Sequence, residues 1–327
     1  MLLDIIIPQY KETEEKMKPL LDSINNQVNV DFDNVKLTVV NDFSDVIPSV
    51  EFLNSFSNLD ISLIRNDKNT GPGLARQNGM DNTNADYIMF CDSDDVLFDN
   101  KALFIIMDFI SKYEPNYLVT NIAIEDMEGN VIIKKGKSTF PWMHGKVFKR
   151  EFLVNNDIRF SPNVRHLEDS YFTTCLVGSL DPKTICYLDF TTYKWKNNRD
   201  SLTRRKDDTY MVDTFEDFYN SPMETYKFLV KKNSYLKFSY LISSTLGIFI
   251  VLHSNLFNKE EYKEKRELYI GKLKEFVRKK KNIFVIYGKE RVNELFNYEY
   301  KELAERNSIT GINKSLEDFY KEYLGIE

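Results

Sequence analysis

The chain has 327 residues, 42% of them hydrophobic and 29% charged, which excludes collagen-like and low-complexity disordered proteins. That length exceeds what one hydrophobic core usually serves, so two unequal domains are expected. A formal net charge of −6 argues against a duplex nucleic-acid binder held by a broad basic face.

In chain order, Asp4–Ile7 reads as a strand buried on both faces and ended by Pro8. Met17, Leu20, Leu21 and Ile24 fall at helical spacing in a helix from Thr13 to about Asn26. Val35–Val40 is the next strand, followed by a weaker helix near Ser49–Phe56 and a strand at Ile61–Ile64. A helix then runs from Pro72 to about Asp81, and Tyr87–Cys91 is another strand. Repeated β-α units of this size predict an α/β fold with a mostly parallel sheet and helices on both faces. Such sheets bind ligands beyond the carboxyl ends of their strands. Three polar clusters stand there: Pro8-Gln9-Tyr10, Asn41-Asp42 and Asp92-Ser93-Asp94-Asp95.

Further on, a helix is expected near Asn100–Lys112, and strands at Tyr117–Glu125 and Val131–Lys135 flank a Glu128-Gly129-Asn130 turn. Helices follow from Lys149 and from Glu168 to about Val177. Beyond Arg205 the sequence becomes Lys/Glu-rich and helical, which sets expected domains at 1–205 and 206–327. Phe238–Asn258 carries no Asp, Glu, Lys or Arg. Its serines and threonines favour a buried core helix over a spanning segment, with a membrane-contacting element as the alternative. Three cysteines, Cys91, Cys175 and Cys186, offer no C-x-x-C spacing and read as thiols of a reducing compartment. The N-terminus lacks the basic start of a signal peptide, so a cytoplasmic location is expected.

Clustered carboxylates after a buried strand need a cation or a hydrogen-bonding ligand. Asp92 and Asp94, at i and i+2, suit one side of a hard divalent ion; the competing reading is an acidic turn capping the next helix. Gly71-Pro72-Gly73 opens a helix whose N-terminus favours an anion, and Arg76 adds a fixed positive charge one turn inside. Walker and dinucleotide glycine patterns are absent. Glu168-Asp169, at a helix start, is either favourable N-terminal charge or a general base with a neighbour that positions the reacting hydroxyl. His166 reads as a structural neighbour, and His144 and His253 show no partner spacing.

The ordered set Pro8-Gln9-Tyr10, Val40-Asn41-Asp42, Asn69-Thr70-Gly71 through Gly79, Phe90-Cys91-Asp92-Ser93-Asp94-Asp95 and Glu168-Asp169 resembles the family 2 glycosyltransferases of the GT-A fold. His144–Arg150 and the stretch from Tyr193-Lys194-Trp195 to Ser201-Leu202-Thr203 extend the likeness over residues 1–205. Phe43 stands where that family usually has Gly, and Gln9 and Lys11 replace commoner residues. The resemblance implies a Rossmann-like GT-A domain with a mainly helical C-terminal domain. It also implies inverting sugar transfer from a UDP-sugar, of the UDP-GlcNAc, glucose or galactose type, with Mn²⁺ or Mg²⁺. By position, Pro8, Tyr10, Asp42 and Asn69 would frame base and ribose, Asp42 meeting the uracil imino N–H. Arg76 would lie near the diphosphate or its supporting carboxylates, Asp92 would reach ribose or metal, and Asp94 would hold the metal. Ser93, Trp195, Arg199 and Ser201 complete the implied donor set, with Trp195–Thr203 closing over it. Asp169 would deprotonate the acceptor and Glu168 position it.

The basic run Arg278–Lys281 reads as a solvated face, or else as a groove for a phosphate-rich acceptor or an anionic membrane surface. The implied acceptor is a bacterial or phage-related cell-surface polymer, glycan or protein. The C-terminal domain is expected to bind acceptor, build a homo-oligomer, or touch the inner face of the cell membrane peripherally. Two rival readings are a transferase loading a polyprenyl-phosphate carrier and a non-catalytic nucleotide-sugar or glycan-binding module.

Overall fold

The computed structural model describes every residue except 127, 140–141, 197–208, 308 and 327. The chain forms two compact units, Met1–Arg199 and Asp200–Glu327.

In the first unit, β1 (Leu3–Gln9), β2 (Val35–Asn41), β3 (Asp60–Arg65) and β4 (Tyr87–Phe90) lie in the order β3-β2-β1-β4, all parallel. The crossovers are α1 (Glu14–Asn25), α2 (Val50–Asn54) and α3 (Pro72–Asp81). Leu3, Ile5, Ile6 and Ile7 of β1 are wholly buried because the strand is covered on both faces. Thr13 caps α1 by accepting from the Lys16 N–H. The helix buries Met17, Leu20, Leu21 and Ile24, each worth about 2 kcal/mol of apolar burial. Pro8 has no N–H to give, and it lies beyond the last β1–β4 pair, Ile6 with Phe90.

The other half of the sheet is mixed. It contains β5 (Val96–Leu97), β6 (Tyr117–Glu125), β7 (Val131–Lys134), β8 (Lys146–Lys149) and β9 (Ile185–Trp195). From β4 the order continues β8-β6-β9-β5, with β7 hanging off β6. β8 is antiparallel to both β4 and β6, whereas β9 runs parallel to β6 through a bulge. The helices of this half are α4 (Ala102–Tyr113), α5 (Arg150–Asn155) and α6 (Glu168–Ser179). Strands β5, β8 and β9 were not expected from the sequence. β5 and β8 are too short for a periodic signal, and β9 alternates only between half-buried and exposed positions along most of its length.

The second unit is helical among its described residues: α7 (Thr209–Asp213), α8 (Phe215–Lys231), α9 (Lys237–Leu252), α10 (Lys263–Lys279), α11 (Lys281–Tyr287) and α12 (Lys289–Asn307). α9 is its central helix, with every residue from Thr245 to Leu252 buried. The stretch is therefore a core helix over Thr245–Leu252, buried in the hydrophobic core of this unit, whereas Phe238 at its start is 44% exposed. Among the described residues no helix is long and apolar enough to cross a membrane.

His253 closes α9 in a buried polar knot. Its Nδ1 accepts from the Asn313 amide at 3.2 Å and Arg266 at 3.3 Å, so the ring proton sits on Nε2 and is donated to Tyr323 Oη at 2.7 Å. Burial, aided by the Arg266 charge, pushes the imidazole down from 6.5 to about 4. The folded state thus favours the neutral ring, and this stabilisation is present above pH 6.5 and lost as pH falls toward 4. The difference in unfolding free energy between wild type and His253→Gln should shrink by about 3 kcal/mol over that window. Urea melts of both proteins at stepped pH measure it, and parallel pH curves would contradict this account.

Candidate active site

The carboxyl ends of β1 and β2 carry two loops that are stitched together. Asn41 Nδ2 donates to Gln9 Oε1 at 2.5 Å and to the Val46 carbonyl at 3.0 Å, and Asn41 Oδ1 accepts from the Ser44 N–H at 3.0 Å. The turn passes through Phe43 at φ +58°, a left-handed conformation that costs a non-glycine residue about 1 kcal/mol. This is the conformation that a glycine supplies freely, and here the exposed Phe43 ring lies 5.2 Å from the Arg65 guanidinium.

Asp42 is 2% exposed, and protein donors fill both its carboxylate oxygens. Oδ1 accepts from Asn66 Nδ2 (2.7 Å), the Thr70 N–H (2.9 Å) and the Thr70 hydroxyl (2.8 Å); Oδ2 accepts from the Gly71 N–H (2.7 Å). The anion at the N-terminus of α3 is therefore Asp42 itself, where the sequence suggested a ligand phosphate. A uracil imino group would meet this carboxylate only by displacing one of those donors. Asn69 belongs to the same loop, donating to the Asp42 carbonyl at 3.2 Å and accepting from Arg165.

After β4 the chain turns, and the Asp95 N–H closes on the Asp92 carbonyl at 3.2 Å. A turn brings its first and fourth residues together, so Asp92 pairs with Asp95 across it. The expected pair, Asp92 with Asp94 at i and i+2, thus has Asp95 as a further carboxylate beside it. Asp94 is half-buried, within electrostatic reach of Glu12 and Asp95. The third member of the cluster is His144, which showed no partner spacing in the sequence. β8 pairs with β4 as Met89 with Val147 and Ile88 with Phe148; carrying that register onward sets His144 opposite Asp92. His144 Nε2 lies 3.1 Å from Asp92 Oδ2 and 3.9 Å from Asp95 Oδ2. Ligand atoms of Asp92, Asp95 and His144 all fall within 4.8 Å of one another.

β9 completes this corner. Tyr193 Oη donates to Asp95 Oδ2 at 2.6 Å and accepts from the Asp92 N–H at 3.0 Å, while the Lys196 N–H donates to Asp95 Oδ1 at 2.8 Å. Trp195 stacks on the His144 ring at 5.6 Å and 17° and meets Trp142 edge-on at 5.8 Å. Burial, with the charges of Asp92 and Asp94, pushes Asp95 up to about 7 against the pull of His144. Burial also works against an ionised Asp92, but Arg76 and His144 overcome it and hold that carboxyl well below its ordinary range. Two crowded carboxylates and an imidazole at this spacing fit a divalent ion of the Mn²⁺ or Mg²⁺ kind, which would relieve the repulsion among these acids.

Arg76, 5% exposed, joins this corner to the start of α6. Its Nη2 donates to Asp92 Oδ1 at 2.7 Å and its Nη1 to Glu168 Oε1 at 2.9 Å. Gly73 permits the contact, because a Cβ there would lie 2.8 Å from Glu168 Cγ. Burial and the adjacent Asp169 push Glu168 upward, opposed by Arg76. Asp169 is half-buried and its Oδ1 accepts from the Ser170 N–H at 2.7 Å. Lys146, 1% exposed, donates to the Thr139 carbonyl at 3.1 Å. Burial pushes its ammonium down to about 7, against the pull of Asp169.

Of the other expected site residues, Pro8 is half-buried near the end of β1, and Tyr10 is 42% exposed with its N–H on Glu12 Oε2 at 2.6 Å. Ser93 is buried and its hydroxyl faces Glu12. Arg199 and Ser201, and with them the expected closing segment after Trp195, lie outside the described residues apart from Lys196. Replacing Asp42 with Ala strands the donors at the start of α3, so stability should fall by roughly 3 kcal/mol. Asp42→Asn, which keeps one acceptor oxygen, should lose less. Chemical denaturation decides it, and an unchanged midpoint for Asp42→Ala would remove the anchoring role.

Residues 4–166 match the family described as glycosyl transferase family 2. An uncharacterised glycosyltransferase of Haemophilus influenzae is 30% identical over 189 residues, covering 54% of this chain and 72% of that protein. The putative glycosyltransferase EpsH of Bacillus subtilis is 23% identical over 274 residues, 77% of this chain and 75% of that one. Among solved structures, residues 1–349 of Staphylococcus aureus TarS in complex with UDP-GlcNAc superpose with a TM-score of 0.67 at 17% identity, covering 93% of this chain and 92% of that one. The fold is thus the GT-A type with a helical C-terminal region, and the chain is a glycosyltransferase belonging to family 2.

Proposed function

We propose that this glycosyltransferase moves a hexosyl or N-acetylhexosaminyl group, with inversion, from a UDP-sugar to a hydroxyl of a cell-surface polymer, glycan or protein. The observation that carries the reading is the buried bridge Asp92–Arg76–Glu168, which links the acidic turn after β4 to the start of α6. Two chemical tasks are thereby held by one rigid connection. Support for the UDP-sugar comes from TarS, whose structure contains UDP-GlcNAc.

On this reading Tyr10, Pro8, Asn69 and the Asp42-anchored loop shape the base and ribose pocket, with Asp42 acting as builder more than as contact. Ser93, Trp195, Arg199 and Ser201 are assigned to the donor side. Asp92, Asp95 and His144 would hold the divalent ion, with Asp94 next to them; when bound, the ion supplies positive charge against the leaving diphosphate. Arg76 keeps Asp92 ionised and fixes Glu168, so neither carboxylate has to reorganise during transfer. Asp169 takes the proton from the acceptor hydroxyl, and Glu168, pinned by Arg76, orients acceptor or sugar. Residues 1–205 are assigned to catalysis and 206–327 to the acceptor side.

A panel of nucleotide sugars with Mn²⁺, read out as UDP release, tests the reading. Asp169→Asn should lower acceptor-dependent transfer by at least a hundredfold while sparing slow donor hydrolysis. Equal loss of both reactions would count against Asp169 as base. UDP should raise the melting temperature only when Mn²⁺ is present, and Asp95→Asn with His144→Ala should abolish that rise. Metal-independent stabilisation, or a rise retained by the double variant, would contradict the assigned ligands.

A further inference from the structure

The helical unit carries a surface to which no residue of the donor site has been assigned. Residues 225–259 contain no Asp or Glu, but they include Lys227, Lys231, Lys232, Lys237 and Lys259. The corner between α8 and α9 is tightly built. Asn233 takes φ +49°, its N–H reaches the Val230 carbonyl at 3.0 Å, and the Ser234 N–H reaches Leu229 at 2.8 Å. The Lys237 ammonium holds the Asn233 side chain. This locked corner turns apolar side chains outward: Val230 is 47% exposed, Tyr235 56% and Phe238 44%. α10 ends at the same place, since the Lys280 ammonium stands 5.5 Å over the Tyr226 ring and Phe276 meets that ring edge-on at 6.2 Å. Its last turn adds Arg278 and Lys279, and Lys281 follows. The nearby acids Glu224 and Glu275 are already paired, with Lys227 at 2.7 Å and Lys279 at 2.6 Å.

We propose that this corner docks on an anionic phospholipid bilayer, with Tyr235 and Phe238 entering the headgroup region while the surrounding lysines stay among the phosphates. Aromatic tips ringed by cations are the chemistry of an interfacial membrane contact. Lysine stems extend the apolar area and keep their ammonium groups outside it. A soluble polyanion would use the cations but gains little from the exposed rings. The rings therefore favour a surface with an apolar interior.

The test is co-sedimentation of the full chain with phosphatidylcholine vesicles with and without a quarter of phosphatidylglycerol, at low and high salt. Binding is expected only to the anionic vesicles, weakened by salt. It should fall about fivefold for each of Lys231→Gln, Lys232→Gln and Lys237→Gln, and about tenfold or more for Tyr235→Ser with Phe238→Ser. None of these positions is assigned to the donor site, so UDP release by donor hydrolysis without acceptor should be unchanged; the proposal can fail while the transferase reading stands. Absence of vesicle binding would overturn it. So would vesicle binding that survives loss of both rings undiminished, or a soluble polyphosphate competing as well against the ring variant as against wild type; both would identify a face for an anionic polymer.

Discussion

A guanidinium with almost no access to water sits between two carboxylates that belong to different parts of the fold, and the site is arranged around that charge. Burying Arg76 costs several kcal/mol of hydration. The cost is offset only because Asp92 and Glu168 each place an oxygen within hydrogen-bond distance. The arrangement is unforgiving, since removing the arginine would leave two crowded acids without the cation between them. It is also directional, because the planar guanidinium fixes where both oxygens lie. The strand end that carries Asp92 and the helix start that carries Asp169 are therefore not independent.

The loops above the parallel half follow the same logic with a different charge. Asp42 accepts hydrogen bonds from two backbone N–H groups and two side chains of the segment leading into α3. In doing so it satisfies donors that a helix N-terminus leaves open. Because Arg76 is on α3, the position of the buried cation depends on the anion that caps its helix. Preorganisation here is a chain of local satisfactions, from Asp42 to the helix to Arg76 to the two carboxylates.

Much of this was legible in the sequence where a periodic signal existed. The helix from Pro72 to about Asp81 and the strand Tyr117–Glu125 were readable, the helix from its Gly71-Pro72 start and the strand from a nine-residue run rich in β-branched and aromatic residues. β8 and β9 were not readable, because a four-residue strand with two lysines and a strand of half-buried residues both lack a hydrophobic period. The partners missed at the site follow from those omissions. Without β8 there was no register to set His144 against Asp92, so the histidine looked solitary. Without the turn hydrogen bond from the Asp95 N–H to the Asp92 carbonyl, nothing in the sequence showed that Asp95 joins Asp92 and Asp94 in the cluster. Phe43 shows the converse: the sequence marks the departure from glycine, and only the structure shows that its left-handed backbone is nonetheless kept.

The charge balance around the bridge says what kind of ligand this site can take. Asp92, Asp94, Asp95, Glu168 and Asp169 crowd near Arg76, His144 and Lys146, and two of those acids, Asp95 and Glu168, are pushed upward mainly by burial. A bare diphosphate would deepen the excess of negative charge, so its binding is unfavourable unless positive charge arrives with it. The same crowd without a ligand is tolerable because Arg76 bonds one oxygen each of Asp92 and Glu168, His144 meets the other oxygen of Asp92, and Tyr193 and the Lys196 N–H bond Asp95. A site with this balance discriminates by charge as well as by shape. On the proposed UDP-sugar reading, this balance would favour a diphosphate that arrives with a divalent cation over the bare anion, and that preference would come from the acids and not from the sugar.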